Sequence, residues 1–250
     1  AQFAGAVGAY DRALLAAQSA LDAARGSSDA VDVAPNQAFC HYVLGLVQAY
    51  HQDQAAIPNL RAAYDLYRAQ DDAPGAAEAG LQLGFYLWAW EGDHGRASAL
   101  VEESLARYRA LGDAYGLADA LNNAAVLRWY AGHVEGAERL YRESLETAQA
   151  VGNRLVALQA VGGLAFVALA RGQWEVAIDL GQQRLALAQR LGHANQVQQS
   201  LSFLAPCYVG AERFTEAVAI LDQLPEAWHT AVAPQAYIGI GAYATAVAFL

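Results

Sequence analysis

The residues of this 250-residue chain that could do chemistry are few, and their spacing suits none of the familiar reactions. Six histidines and two cysteines are the candidates for metal ligation or nucleophilic work. His51, His94, His133 and His193 fall at or beside expected turns, where capping or solvation accounts for them. His41 follows Cys40 within an expected helix, and no His-x-x-x-His or Cys-x-x-Cys pair completes a metal site. Asp93 and His94 form a dyad only on paper, because sequence neighbours do not face each other on a helix. Ser200 and Ser202 lack a nearby histidine and a nucleophile-elbow pattern. Gly239-Ile240-Gly241 lacks the third glycine and the preceding strand of a phosphate loop. The chain has no lysine, which excludes a Walker lysine or a Schiff-base lysine within this segment. The expectation is therefore no catalytic residues, no metal and no cofactor. A groove enzyme assembled from distant residues, such as Asp119, Arg128 and a histidine, is the one enzymatic reading left open.

Composition narrows the setting. The net charge of −10 lacks the electrostatic footprint of a nucleic-acid binder. Cys40 and Cys207 imply no disulfide framework, so a reducing, cytoplasmic setting is expected. The N-terminus has no basic region ahead of an apolar stretch and does not read as a signal peptide. Residues 236–250 fall short of the ~20 apolar residues that a membrane span requires, so no membrane partner is expected. Neither apolar end offers a polar cap, which suggests a piece of a longer protein or an array whose ends self-associate.

What must position any functional residue is a repeat. Leu111-Gly112-Asp113, Val151-Gly152-Asn153 and Leu191-Gly192-His193 follow one another at intervals of 40. Ala97, Ala137, Ala177 and Ala217 keep the same step, with Ala56 lying 41 before Ala97. Small residues inside apolar stretches, Gly45, Gly84, Ala125, Ala165 and Ala205, are spaced by 39, 41, 40 and 40. Shared periods of this length mark stacked units that cannot bury an apolar face alone. Within one unit the apolar residues recur at helical spacing on either side of a Gly turn, giving a helical hairpin. Gly112 suits a left-handed helix end and Asp113 the cap of the next helix. Helices are expected at about 3–25, 36–51, 54–70, 75–90, 94–111, 115–130, 134–151, 155–170, 174–191, 195–209, 213–223 and 233–249. Pro74 fits a first helical turn, whereas Pro206 falls mid-helix, where a kink is expected.

These residues resemble the tetratricopeptide repeat (TPR) family. Leu44-Gly45 and Leu83-Gly84 match its first-helix pair, and Gly92/Ala97, Gly132/Ala137 and Gly172/Ala177 match its turn. Ala137/Tyr141 matches its aromatic position. The unit is longer than the family's usual one and is similar to those of bacterial signal-transduction ATPases and transcriptional regulators. HEAT or armadillo repeats share the length, though not the Gly-to-Ala turn marker. The resemblance implies an all-α, right-handed α-α superhelix, a TPR-like solenoid of about five hairpins plus flanking helices. It reads as one solenoid: a degenerate N-terminal helix over 1–37, five repeats over 38–224 and a C-terminal helix over 225–250.

In that family the first helices line a concave face. Transferred by position, Phe39, Tyr42 and Tyr50 fall on it in the first unit, and Glu78, Phe85 and Trp88 in the next. Asp119, Asn122, Trp129 and Tyr130 follow, then Gln159 and Phe166, then Gln199. Aromatic anchors among amides and carboxylates suit a protein or peptide segment. Some of these rings have an alternative use as filler between hairpins, Phe39 and Phe85 above all. The expected function is a non-enzymatic protein- or peptide-binding scaffold. The alternative is a ligand-sensing regulatory domain. A chaperone clamp is set aside, since that constellation relies on lysine.

Overall fold

The computed structural model describes residues 15, 16, 18, 19 and 30–225. Every regular element among them is helical. In order they are α1 (Ala30–Tyr50), α2 (Ala56–Ala69), α3 (Ala73–Tyr86), a π-helical turn (Leu87–Glu91), α4 (His94–Leu111) and α5 (Ala114–Tyr130). Then come α6 (Val134–Ala150), α7 (Arg154–Ala170), α8 (Trp174–Leu191), α9 (Ala194–Gly210) and α10 (Phe214–Leu221). The expected flanking helices over 3–25 and 233–249 lie outside the described residues, apart from four residues of the first. The chain divides into two compact units, residues 1–127 and 128–250. In the first, α1 packs on α2, α2 on α3, and α3 on α4. In the second, α6 packs on α7, α7 on α8, α8 on α9, and α9 on α10.

The three phased markers are the residues that let these helices meet. Ala56, Ala97, Ala137, Ala177 and Ala217 are each 0% exposed. Gly45, Gly84, Ala125, Ala165 and Ala205 are all buried. A Cβ at Gly84 would sit 3.1 Å from the Ala97 carbonyl oxygen, so α3 and α4 approach there almost backbone to backbone. A Cβ at Gly45 would lie 2.6 Å from Leu60 Cγ, an overlap no packed core absorbs without moving.

Helix ends follow the local chemistry. Gly112 takes φ +68°, and the Asp113 carboxylate accepts from the Gly116 amide at 3.1 Å. Asp72, Asp93 and Asn153 cap α3, α4 and α7 in the same way. Pro74 sits in the first turn of α3. Pro206 lies inside α9, which continues past it to Gly210 as one helix.

Two features differ from expectation. Helix α1 starts at Ala30, ahead of Pro35, rather than at 36. The stretch expected to run as α-helix to residue 90 instead turns π-helical at Leu87–Glu91 and stops at Gly92, φ +65°. Four large rings crowd this end. Phe85 lies edge-on to Tyr86 at 5.3 Å and tilted against Trp88 at 5.8 Å, and Tyr86 packs on Trp90 at 4.9 Å. A π-turn is a one-residue insertion in an α-helix, and the insertion is visible in the register. Gly84 and Ala97 are 13 apart, whereas Ala125 and Ala137, and Ala165 and Ala177, are 12 apart.

Candidate functional site

In the first unit, Glu78 on α3 is the hub. Tyr42 on α1 donates to its Oε1 at 2.6 Å, and Tyr108 on α4 donates to its Oε2 at 2.7 Å. Burial first, then Glu78, pushes both phenols far above their ordinary range, so they act only as donors to the carboxylate. Asp119 on α5 senses the same charge. Its carboxyl is pushed up to about 6, mainly by burial and then by Glu78. Asn123 Nδ2 donates to its Oδ1 at a long 3.4 Å. Three residues later, Asn122 is 6% exposed and its Oδ1 accepts no hydrogen bond. Two carboxylates are thus fixed on the first helices of successive hairpins, where a donor-rich cation would satisfy them.

Glycine geometry positions this hub. The Tyr108 ring lies flat enough against Gly116 that any Cβ there would overlap it. Tyr67 and Gly75 repeat the arrangement one unit earlier, with the same eight-residue separation. Around the hub, Tyr64 donates to Glu103 at 2.8 Å, and the Arg107 guanidinium holds the Glu103 carboxyl below its ordinary value. His41 Nδ1 donates to Asn59 Oδ1 at 2.7 Å, while Asn59 donates to Gln48 at 2.8 Å, a network that accounts for that histidine.

The structure thus brings Tyr42, Glu78 and Asp119 together and places Asn122 on the same helix as Asp119. Phe85 lies on the Glu78 side of α3, two turns on, half-buried against Trp88. Phe39 is 59% exposed, so it does not fill space between hairpins. Tyr50 is exposed at the end of α1, edge-on to His51 at 5.4 Å. In the second unit, Trp129 is half-buried and Tyr130 exposed. Gln159 and Phe166 are exposed on α7, and the Phe166 ring meets Phe203 edge-on at 4.9 Å. Gln199 is half-buried and accepts from Arg184 at 3.0 Å. Among the described residues no three of His, Cys, Asp and Glu gather as metal ligands, and no helix is long and apolar enough to cross a membrane. His51, His94, His133 and His193 are all exposed.

Tyr108 and Arg184 escaped the sequence reading because both sit on second helices, whereas the concave-face rule counts only first helices. The register held a signal for each. Tyr67 and Tyr108 share a Gly eight residues on, and Arg184 occupies the place of Ser104 and Ser144 at the 40-residue step.

The all-α hairpin fold with these buried small-residue seams is the solenoid fold of tetratricopeptide repeat proteins, and solved structures carry the same likeness. One is BtubC (BKLC) from P. vanneervenii, 23% identical with a TM-score of 0.67 over 86% of this chain and 89% of that one. Another is a Signal Transduction ATPase with Numerous Domains with a tetratricopeptide repeat sensor, from Pyrococcus horikoshii. It is 14% identical, TM-score 0.68, over 90% of this chain and 35% of that one. A third is a Rap protein complexed with competence and sporulation factor, 15% identical, TM-score 0.65, over 99% of this chain and 70% of that one. No family profile and no curated protein matches the sequence.

Proposed function

We propose that this chain is a protein- or peptide-binding scaffold, and that its first unit receives a basic side chain of an extended partner segment. The observation that carries this reading is the Glu78–Asp119 pair. Glu78 accepts from two tyrosine hydroxyls, while Asp119 is desolvated with one long hydrogen bond. An incoming guanidinium or ammonium would offset the repulsion between the two carboxylates and supply the missing donors. Exposed and half-exposed rings on the helices that carry Tyr42 and Glu78, Phe39 on α1 and Phe85 on α3, offer the apolar anchors that peptide grooves use. The concave face of the tetratricopeptide fold is the surface that would present them. Support from relatives is of the same kind: the Rap protein similar to this chain was solved with a bound factor.

A regulatory setting is the second reading. It is favoured by the likeness to the repeat sensor of a signal-transduction ATPase, of whose chain this one spans about a third. The experiment that separates the two is selection from a displayed random-peptide library. Enrichment of segments bearing arginine or lysine supports the first reading. No enrichment, together with thermal stabilisation by a small metabolite, supports the second.

A further inference from the structure

The Arg184 guanidinium, on α8 in the second unit, has no carboxylate beside it among the described residues. Arg184 is only 8% exposed. Its Nη2 donates to Gln196 Oε1 at 2.8 Å and Gln199 Oε1 at 3.0 Å, both on α9. Its Nε is sealed from solvent and donates to nothing. Other arginines behave differently: Arg107 pairs with Glu103, Arg171 with Glu138 and Arg213 with Glu216. Burial alone pushes the Arg184 pKa down, with no opposite charge to offset it. Taking a charge out of water without a counter-ion is among the costlier arrangements a fold can hold.

Packing does not call for this residue. Ser104 and Ser144, 80 and 40 positions earlier, fill the same register place and are 1% and 0% exposed. Room for the larger group comes from α7, where a Cβ on Gly162 would lie 3.0 Å from Arg184 Nε and 3.2 Å from its Cδ. The side chain therefore runs from α8 past Gly162 to the partly exposed glutamines of α9. On this seam the Phe166–Phe203 contact joins α7 to α9 further along.

From this geometry we infer that Arg184 anchors a carboxylate of a ligand lying along α7 and α9, either an acidic side chain or a terminal carboxylate of a peptide-like segment. One guanidinium with one uncompensated charge matches a carboxylate. A phosphate, at about −1.5 to −2, would call for more than one cation, and among the described residues only Arg184 contributes to this cluster. Gln196 and Gln199 are neutral acceptors that rotate aside or reorient their amide donors toward the incoming group. The site lies wholly in the second unit and stands whether or not the first unit binds a basic side chain.

The test follows the Nε–H resonance of Arg184 in isotopically labelled protein during titration with N-acetylglutamate. Inorganic phosphate and sodium chloride at matched ionic strength serve as comparators. A saturable shift with N-acetylglutamate is expected, about tenfold weaker with phosphate and absent with chloride. The resonance is assigned by its loss in Arg184→Ser, which restores the residue of the preceding repeats. Absence of a shift, or an equal response to chloride, overturns the inference. If Arg184→Ser does not fold, Gly162→Ala serves instead, because it crowds Nε while keeping the charge. It should weaken the response several-fold, and an unchanged response overturns the inference.

Discussion

Tyr108 and Gly116 are in such close contact that the glycine's missing Cβ is what lets the ring lie against α5 and its hydroxyl reach Glu78. Gly116→Ala is expected to destabilise the protein by about 1–2 kcal/mol, the overpacking cost less the helix-propensity gain. Gly136→Ala is its control. The nearest atom to a Cβ there is His133 Cβ at 3.8 Å, so the change should stabilise by about 0.5–1 kcal/mol. Denaturant unfolding of both variants checks the pair, with effects of opposite sign as the expected pattern.

Asp119 gives stability a pH dependence of unusual sign. Its folded carboxyl is pushed up to about 6 from the ordinary 3.8, so the folded state holds a proton that the unfolded chain has released. This group's contribution to stability therefore falls as pH rises from about 4 to about 6, by roughly 2–3 kcal/mol at most, and is level above that. Asp119→Asn should remove the slope and raise stability at neutral pH. Unfolding free energies at pH 4, 5, 6 and 7 for both proteins would show it; parallel curves would refute it.

The turns at the ends of the described array make a third test. Gln52 and Glu212 hold φ of +58° and +59° at places where the inner turns have Gly92, Gly132 and Gly172. A side chain in the left-handed region costs about 1–2 kcal/mol, and glycine avoids most of it. Glu212→Gly should stabilise by up to about 1 kcal/mol, read as a rise in Tm, whereas Gly172→Ala should lower it.

Much of this was legible in the chain itself. Leu-Gly-Asp echoes and phased small residues located the hairpins because tight helix seams tolerate so few residue types. Ends of helices were legible where Gly, Asp or Asn made the cap, as at Gly112 and Asp113. What escaped has physical causes. The π-turn after Tyr86 coincides with the packing of Phe85 on Trp88 and Tyr86 on Trp90, although its extra residue is present in the Gly84-to-Ala97 spacing. The Glu78 hub draws on four helices, so only its first-helix members, Tyr42, Glu78 and Asp119, could be picked out. Tyr108 enters from behind, and its role depends on a glycine on the following helix.

Binding itself is tested most directly by the affinity of library-selected peptides for the protein and for Asp119→Asn, measured by fluorescence anisotropy at neutral pH. Loss of a desolvated carboxylate facing a basic side chain costs about 2 kcal/mol or more, so affinity should fall at least tenfold for peptides with their arginine or lysine intact. The same peptides with that residue changed to alanine should bind both proteins equally. Equal affinity of both proteins for the intact peptides would contradict the placement of the partner's basic group between Glu78 and Asp119.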